Sequence, residues 1–269
     1  MSKVIHNLVL LENRQVSEYY HVLVFQAPEP LPTCYPGQFA ELEVPPAQHV
    51  FLRRPFSIHD VNYAERTLQF LIKKVGEGTK KLGGMAVGTI VNAVYPLGKG
   101  FSLPSGKNAI LIGGGCGIAP LKFLSKYLKE QGIVSHALLG GRVQNDIVEV
   151  EEFKKQGEVF ITTEDGSSGV KGMVTDHPVF GKLSDYSMVY SCGPEAMLRA
   201  VALGADKQGV CCEVSLENTM ACGIGVCLCC VVGTKEGNRC VCTDGPVFNI
   251  HDLKGWDRPK EVAETCPVI

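Results

Sequence analysis

Ala109-Ile-Leu-Ile-Gly-Gly-Gly-Cys-Gly-Ile-Ala-Pro120 is the stretch that decides the fold. Its first four residues form an apolar run too short for a helix and read as a buried strand. Glycines follow, and then LKFLSKYLKEQG (121–132), in which Leu121, Leu124 and Leu128 share one helical face. Strand, glycine turn and helix in that order open a βαβ unit. Glycines let backbone N–H groups approach a phosphate, and the helix N-terminus adds partial positive charge. A plain packing turn would also use glycine, so the context decides. SHALLGG (135–141) reads as a second strand and DIVEVEEFKKQG (146–157) as a second helix. EVFITTEDG, the segment around TDHPVF, and SMVYSCGPEAMLRAVALGADKQG continue the alternation to about residue 209. That repetition predicts an α/β domain over 105–210, a parallel sheet with helices on both faces.

Gly114, Gly115 and Gly117 are therefore candidate contacts for a nicotinamide dinucleotide. The spacing is not the common G-x-G-x-x-G fingerprint. No acidic residue closes the second strand, which ends Gly140-Gly141-Arg142, so NADH and NADPH both stay open here. Ser191-Cys192-Gly193-Pro194 makes a second strand-to-helix turn. Parallel strands open their ligand crevice at their carboxyl ends, which puts Cys192 and Gly193 beside the first turn.

Upstream, residues 1–104 alternate short β-like runs with Pro/Gly turns: HVLVFQAP, GQFAELEVP, RTLQFLIKKVG and TIVNAVYPLG. This pattern predicts an antiparallel β-barrel, with a short helix after Gly78. Arg54-Pro55-Phe56-Ser57 sets a guanidinium beside a rigid proline and a hydroxyl, a combination suited to pyrophosphate and a flavin edge. Gly78 and Thr79, between a strand and that helix, form a second candidate phosphate turn.

Downstream, eight of the twelve cysteines fall between Cys211 and Cys242. The N-terminus shows neither an apolar export segment nor a cleavage site, so a secreted disulfide scaffold is not expected and metal ligation is. Cys222, Cys227 and Cys230 have the spacing C-x4-C-x2-C, and Cys242 follows after eleven residues. That is the plant-type [2Fe–2S] pattern. A four-cysteine zinc site wants two knuckles, and Cys240-x-Cys242 is too tight for the second. Cys229 and Cys240 are the neighbours that compete with Cys230 and Cys242 for the ligand positions. Cys34, Cys211 and Cys212 read as packed thiols. The Cys-rich segment is taken as 211–269.

A formal charge of -2 excludes a polybasic nucleic-acid surface. The longest near-apolar run, Ala221 to Gly233, is too short and too rich in Cys and Gly to cross a membrane, which points to a cytoplasmic protein.

The order of these motifs resembles the ferredoxin–NADP reductase superfamily. VSLENTMACGIGVCLCCVV followed by RCVCTDGPVF is similar, more narrowly, to the electron-transfer subunits of bacterial dihydroorotate dehydrogenase. The resemblance covers nearly the whole chain and implies a barrel binding FAD, an α/β domain binding NAD, and a C-terminal [2Fe–2S] site. It implies that Arg54 contacts the FAD pyrophosphate, Ser57 the isoalloxazine, and Gly78 and Thr79 a phosphate. Gly114, Gly115 and Gly117 fall on the nucleotide turn, Cys192 and Gly193 near the transferred hydride, and Cys222, Cys227, Cys230 and Cys242 on the cluster. The implied partner is an FMN-containing catalytic subunit in a heterotetramer of two and two, serving pyrimidine biosynthesis. A reductase component for a different acceptor, in sulfur, hydrogen or oxygenase metabolism, shares every motif except the cysteine block. A zinc-stabilised binding protein is the non-enzymatic rival.

Overall fold

The computed structural model describes residues 3–45 and 50–256. Residues 257–269 of the Cys-rich segment, with Cys266, lie outside the described residues. Among those described, no helix is long and apolar enough to cross a membrane.

The first half is a seven-stranded antiparallel sheet. Its strands are β1 (Val4–Gln15), β2 (Tyr20–Gln26), β3 (Phe39–Leu42), β4 (Arg54–Ser57), β5 (Asp60–Asn62), β6 (Thr67–Lys73) and β7 (Ile90–Leu97), with helix α1 (Glu77–Gly83) between the last two. The order across the sheet is β4-β3-β7-β1-β2-β6-β5. The two edge strands, β4 and β5, are consecutive in sequence with only Ile58 and His59 between them. The edges must therefore meet, and the sheet rolls into the expected barrel. The Ile58 N–H donates to Gln38 and the His59 N–H to Gln69, at 2.9 Å each, which sews the seam. Inside lie Leu8, Leu10, Leu23, Phe25, Leu68 and Phe70. The long β1 was not legible in the sequence, because only Leu8 and Leu10 of its alternating positions are fully buried.

The second half begins with β8 (Asn108–Gly114), α2 (Ile118–Glu130), β9 (Val134–Gly141), α3 (Val150–Lys154), β10 (Val159–Thr163), β11 (Val170–Lys171), β12 (Val189–Cys192), α4 (Glu195–Lys207) and β13 (Cys212–Ser215). The sheet order is β11-β10-β9-β8-β12-β13-β16, where β16 is Val247–Asn249. All pairs are parallel except β13 with β16. Strand β8 shows why both faces carry helices. Ala109 and Leu111 pack with Leu121, Leu124 and Leu128 of α2, while Ile110 and Ile112 pack with Leu198, Val201 and Ala205 of α4. The helix expected over 146–157 is only the five residues of α3, preceded by a 3-10 turn at Gln144–Asp146.

The sheet does not end at residue 210. Helix α4 leads into β13 as one more βα repeat, and the Cys-rich segment returns through β16 to become the edge. Between them lie the cysteine loop, the hairpin β14 (Val231–Thr234) and β15 (Gly237–Cys240), and helix α5 (Val241–Asp244). Of the cysteines read as packed thiols, Cys34 and Cys212 are buried and free, whereas Cys211 is disulfide-bonded.

Candidate functional site

Three separate motifs meet around one cavity of about 270 Å³. Pro55, Phe56 and Ser57 come from β4, Thr79 from α1, and Cys116 and Ala119 from the glycine turn and the start of α2. The opposite wall is Ser215 to Asn218 and Met220, the stretch that leads into the cysteines. Sequence order alone gives no hint of that last wall.

Beside this cavity, Arg54 packs against α1. A Cβ on Gly78 would sit 3.3 Å from the Arg54 Nε, so the absent side chain leaves the guanidinium room beside the helix. Arg54 Nη1 donates to the Leu52 carbonyl at 2.9 Å and keeps other donors for a ligand. The Thr79 hydroxyl works within its own turn, accepting from the Val75 and Gly76 N–H groups at 3.0 Å each and donating to the Gly76 carbonyl. This cradle of guanidinium, glycine and capped turn fits the pyrophosphate of a flavin dinucleotide.

The three glycines of the nucleotide turn divide the work. Gly114 and Gly117 are buried. A Cβ on Gly114 would press on Met197 Sδ at 2.8 Å, and one on Gly117 would overlap the Cys192 carbonyl. Both serve the packing of this turn against Cys192-Gly193. Gly115, at φ +57°, is left-handed and open, its nearest neighbour being the Tyr20 hydroxyl at 3.6 Å. It is the position where a phosphate can approach the backbone. Cys192 itself is buried, its thiol pushed well above the usual range by desolvation, and Gly193 and Pro194 line a second cavity of about 190 Å³ with Arg199 and Trp256. Glu217 lines both cavities. Desolvation pushes its carboxyl up, although the residue as a whole is exposed.

Several side chains at this junction escaped the sequence reading. Lys73 lies over the Tyr20 ring at 4.9 Å and pairs with Asp146 at 2.8 Å, and Tyr20 donates to the same carboxylate at 3.3 Å. These contacts tie the barrel to the loop after β9. They link residues far apart in the chain and leave no local pattern.

The cysteines fall into two pairs. The Cys227 N–H donates to Cys222 Sγ at 3.4 Å, and the Cys242 N–H donates to Cys230 Sγ at 3.4 Å. The hairpin makes the second pair. Thr234 donates to the Gly237 carbonyl across its turn, Val231 faces Cys240, and the Val241 N–H returns to the Cys230 carbonyl at 3.0 Å. That return explains the eleven-residue gap. Backbone N–H groups of Ile224, Cys227 and Val226 pull the Cys222 thiol down to about 6, readying a thiolate, whereas burial and the Cys230 thiol push Cys242 up to about 12. Gly223 and Gly225 are both left-handed, and Cβ atoms there would strike Glu41 and Thr243. Cys229 is exposed, and Cys240 is half-buried beside Cys230. Among the described residues no three such side chains close on a single metal ion. Two pairs of thiols, with N–H donors on sulfur, fit a diiron cluster taking two cysteines per iron.

Glu41 connects the two halves of the site. It lies on β3 opposite Pro55 of β4, is 1% exposed, and both carboxyl oxygens lack a hydrogen-bond partner. Burial lifts it to about 7 against the pull of Arg53. The flavin strand and the cysteine loop thus abut across one buried acid.

This geometry defines a ferredoxin–NADP reductase-like oxidoreductase that joins a flavin, a nicotinamide dinucleotide and an iron–sulfur cluster. One solved structure with this fold, an NADH-dependent reduced ferredoxin-NADP oxidoreductase involved in flavin-based electron bifurcation, matches with a TM-score of 0.82 and 28% identity, covering 92% of this chain and 89% of that one. The ferredoxin reductase in carbazole 1,9a-dioxygenase shares the fold at a TM-score of 0.67, with 20% identity over 78% of this chain and 67% of its own. Residues 217–254 match the iron-sulfur cluster binding domain of dihydroorotate dehydrogenase B, and residues 111–202 the oxidoreductase NAD-binding domain. The dihydroorotate dehydrogenase B (NAD(+)) electron transfer subunit of Caldanaerobacter subterraneus subsp. tengcongensis is 39% identical, covering 89% of this chain and 94% of the relative. That of Shouchella clausii is 35% identical over 91% and 96%. The chain belongs to this family of electron transfer subunits.

Proposed function

We propose that the chain carries electrons from the FMN-containing catalytic subunit of a dihydroorotate dehydrogenase to NAD+, as a step of pyrimidine biosynthesis. The observation that carries this reading is the shared cavity, where the flavin strand, the glycine turn and the stretch entering the cysteine loop form one wall each. Arg54, Gly78 and Thr79 hold the FAD phosphates. Pro55, Phe56 and Ser57 shape the seat of its ring system. Gly115 takes the NAD pyrophosphate on a turn that Gly114 and Gly117 hold against Cys192 and Gly193. Cys222, Cys227, Cys230 and Cys242 ligate the [2Fe–2S] cluster. When bound, the flavin supplies the exchange between two-electron nicotinamide chemistry and one-electron cluster chemistry.

The chain's own side chains then have positioning and exclusion tasks. Ile224, Val226 and Leu228 expose an apolar rim around the cysteine loop, suited to the catalytic subunit's surface. The assembly proposed is a cytoplasmic heterotetramer of two copies of each subunit. A second reading, electron delivery to a different acceptor, draws on the likeness to the bifurcating oxidoreductase.

Reconstitution tests both. The chain alone should reduce artificial acceptors with NADH and leave dihydroorotate unchanged. Adding the FMN subunit should produce dihydroorotate–NAD activity and a stable complex. Dihydroorotate oxidation by the chain alone overturns the proposal, and an inactive reconstituted pair favours the second reading.

A further inference from the structure

His59 and Glu149 form a buried contact that belongs to neither cofactor motif yet touches the frame of both. His59 stands two residues after Ser57 on the seam of the barrel, and its side chain is fully buried. Its Nδ1 lies 3.0 Å from the carbonyl of Ala119, two residues after Gly117 in the first turn of α2. Ser57 and Ala119 line the same cavity. The imidazole therefore spans from the flavin strand to the nucleotide turn.

The other end of the ring is also fixed. His59 Nε2 faces Glu149 Oε2 at 3.5 Å, an ion-pair distance, and neither buried atom has a hydrogen-bond partner among the described residues. Glu149 caps α3 in the left-handed region, at φ +59°, a conformation a non-glycine residue adopts at a cost. The second carboxylate oxygen is held by Arg14 of β1 at 3.3 Å. A carbonyl only accepts, so Nδ1 must carry a hydrogen toward Ala119. With Nδ1 donating to Ala119, Nε2 is the ring atom turned toward the Glu149 carboxylate.

We infer that His59, held by Glu149, is a positioning strut that sets the distance between the flavin edge at Ser57 and the nicotinamide turn at Gly115–Gly117. This rests on the site assignment proposed above. Hydride transfer needs reacting atoms within about 3–3.5 Å, and a misplacement of about 1 Å costs about a hundredfold in rate. A strut two residues from each cofactor seat acts on that distance without touching either ligand.

The test is single-turnover reduction of the flavin by NADH in the full FAD- and cluster-loaded chain, with FAD content, NADH dissociation constant and melting temperature measured on the same samples. His59→Phe keeps an aromatic ring in place and removes the hydrogen bond to Ala119 together with the polar contact to Glu149. It should lower the limiting rate of flavin reduction about ten- to a hundredfold, with FAD retained and the NADH dissociation constant within about twofold. Glu149→Ala should lower the same rate. Glu149→Gln should restore most of it, because the amide N–H can donate to Nε2 and leave Nδ1–H on Ala119. If His59→Phe does not fold, the Ala and Gln variants at 149 decide alone. A limiting rate equal to wild type in Glu149→Ala, with only the melting temperature lowered, overturns the strut. So does a Gln variant as slow as the Ala variant. Arg54→Ala and Gly115→Val run alongside. If these leave FAD retention and NADH binding untouched, the site assignment fails, whatever happens at His59.

Discussion

Cys242 donates its backbone N–H to the sulfur of Cys230 at 3.4 Å, and both side chains are almost fully buried. The pair formed by Cys222 and Cys227 stands at the surface instead, with Cys227 exposed. If these four cysteines hold the cluster as proposed, one ligand pair would be shielded by the protein and the other would face solvent.

Serine substitution checks this ligand register. Cys222→Ser, Cys227→Ser, Cys230→Ser and Cys242→Ser should each lose or alter the paramagnetic signal of the reduced protein, with lower iron and sulfide counts. Cys229→Ser should keep both. A cluster destroyed by Cys229→Ser and spared by Cys230→Ser would shift the register by one residue.

The division of labour among the glycines gives opposite phenotypes at neighbouring positions. Gly115→Val places a branched side chain at an open, left-handed site, so the NADH dissociation constant should rise at least about tenfold while FAD stays bound. Gly117→Ala meets the Cys192 carbonyl. It should cost stability, about 1–3 kcal/mol by thermal unfolding, as overpacking does. Equal melting temperatures for Gly117→Ala and wild type would contradict the contact.

On the proposed site, Arg54→Ala removes a charge-assisted phosphate contact worth about 1.5–3 kcal/mol and should weaken FAD retention about ten- to a hundredfold. The extracted flavin should be FAD. Recovery of FMN alone would refute the dinucleotide cradle formed by Arg54 with Gly78.

Glu41 sets a pH dependence. Its carboxyl lies at about 7 when folded, above the ordinary 4.5, so the folded chain binds the extra proton. The stability from that protonation is fully present below about pH 4.5 and is lost as pH rises through 7. Glu41→Gln never charges. It should therefore melt higher than wild type at pH 8, with the difference shrinking to nothing near pH 4.5. A variant less stable than wild type at pH 8 would show that the ionised carboxylate is satisfied.

Much of this was legible in the chain because its signals are local. The run at 109–120 carries a strand, a turn and a helix within twelve residues, and the cysteine spacing is a short-range pattern in the same sense. Arg54 and Thr79 are singled out by their immediate neighbours alone. What escaped is what depends on distant pairing. His59 looks like any polar residue after a strand, and only the rolling of the barrel brings it to Ala119 and Glu149. Glu41 alternates into the barrel wall where an apolar residue would be expected, yet nothing near it in sequence points to Gly223. Gly114 and Gly117 show the converse. Their spacing suggests ligand contacts, while their close packing against Met197 and Cys192 shows only once the turn is folded.

The placement of β16 at the edge of the second sheet, antiparallel to β13, has a mechanical meaning. The cysteine loop is an excursion between two strands of the nucleotide domain, anchored there at both ends. Any rocking of that domain against the barrel would carry the cysteine loop with it. Such a motion would leave the spacing from cluster to nicotinamide nearly constant and vary the gap from flavin to cluster. One-electron tunnelling falls steeply with distance and hydride transfer needs near-contact, so a small tilt at this joint would act on both legs of the route, each of which ends on the barrel's flavin seat.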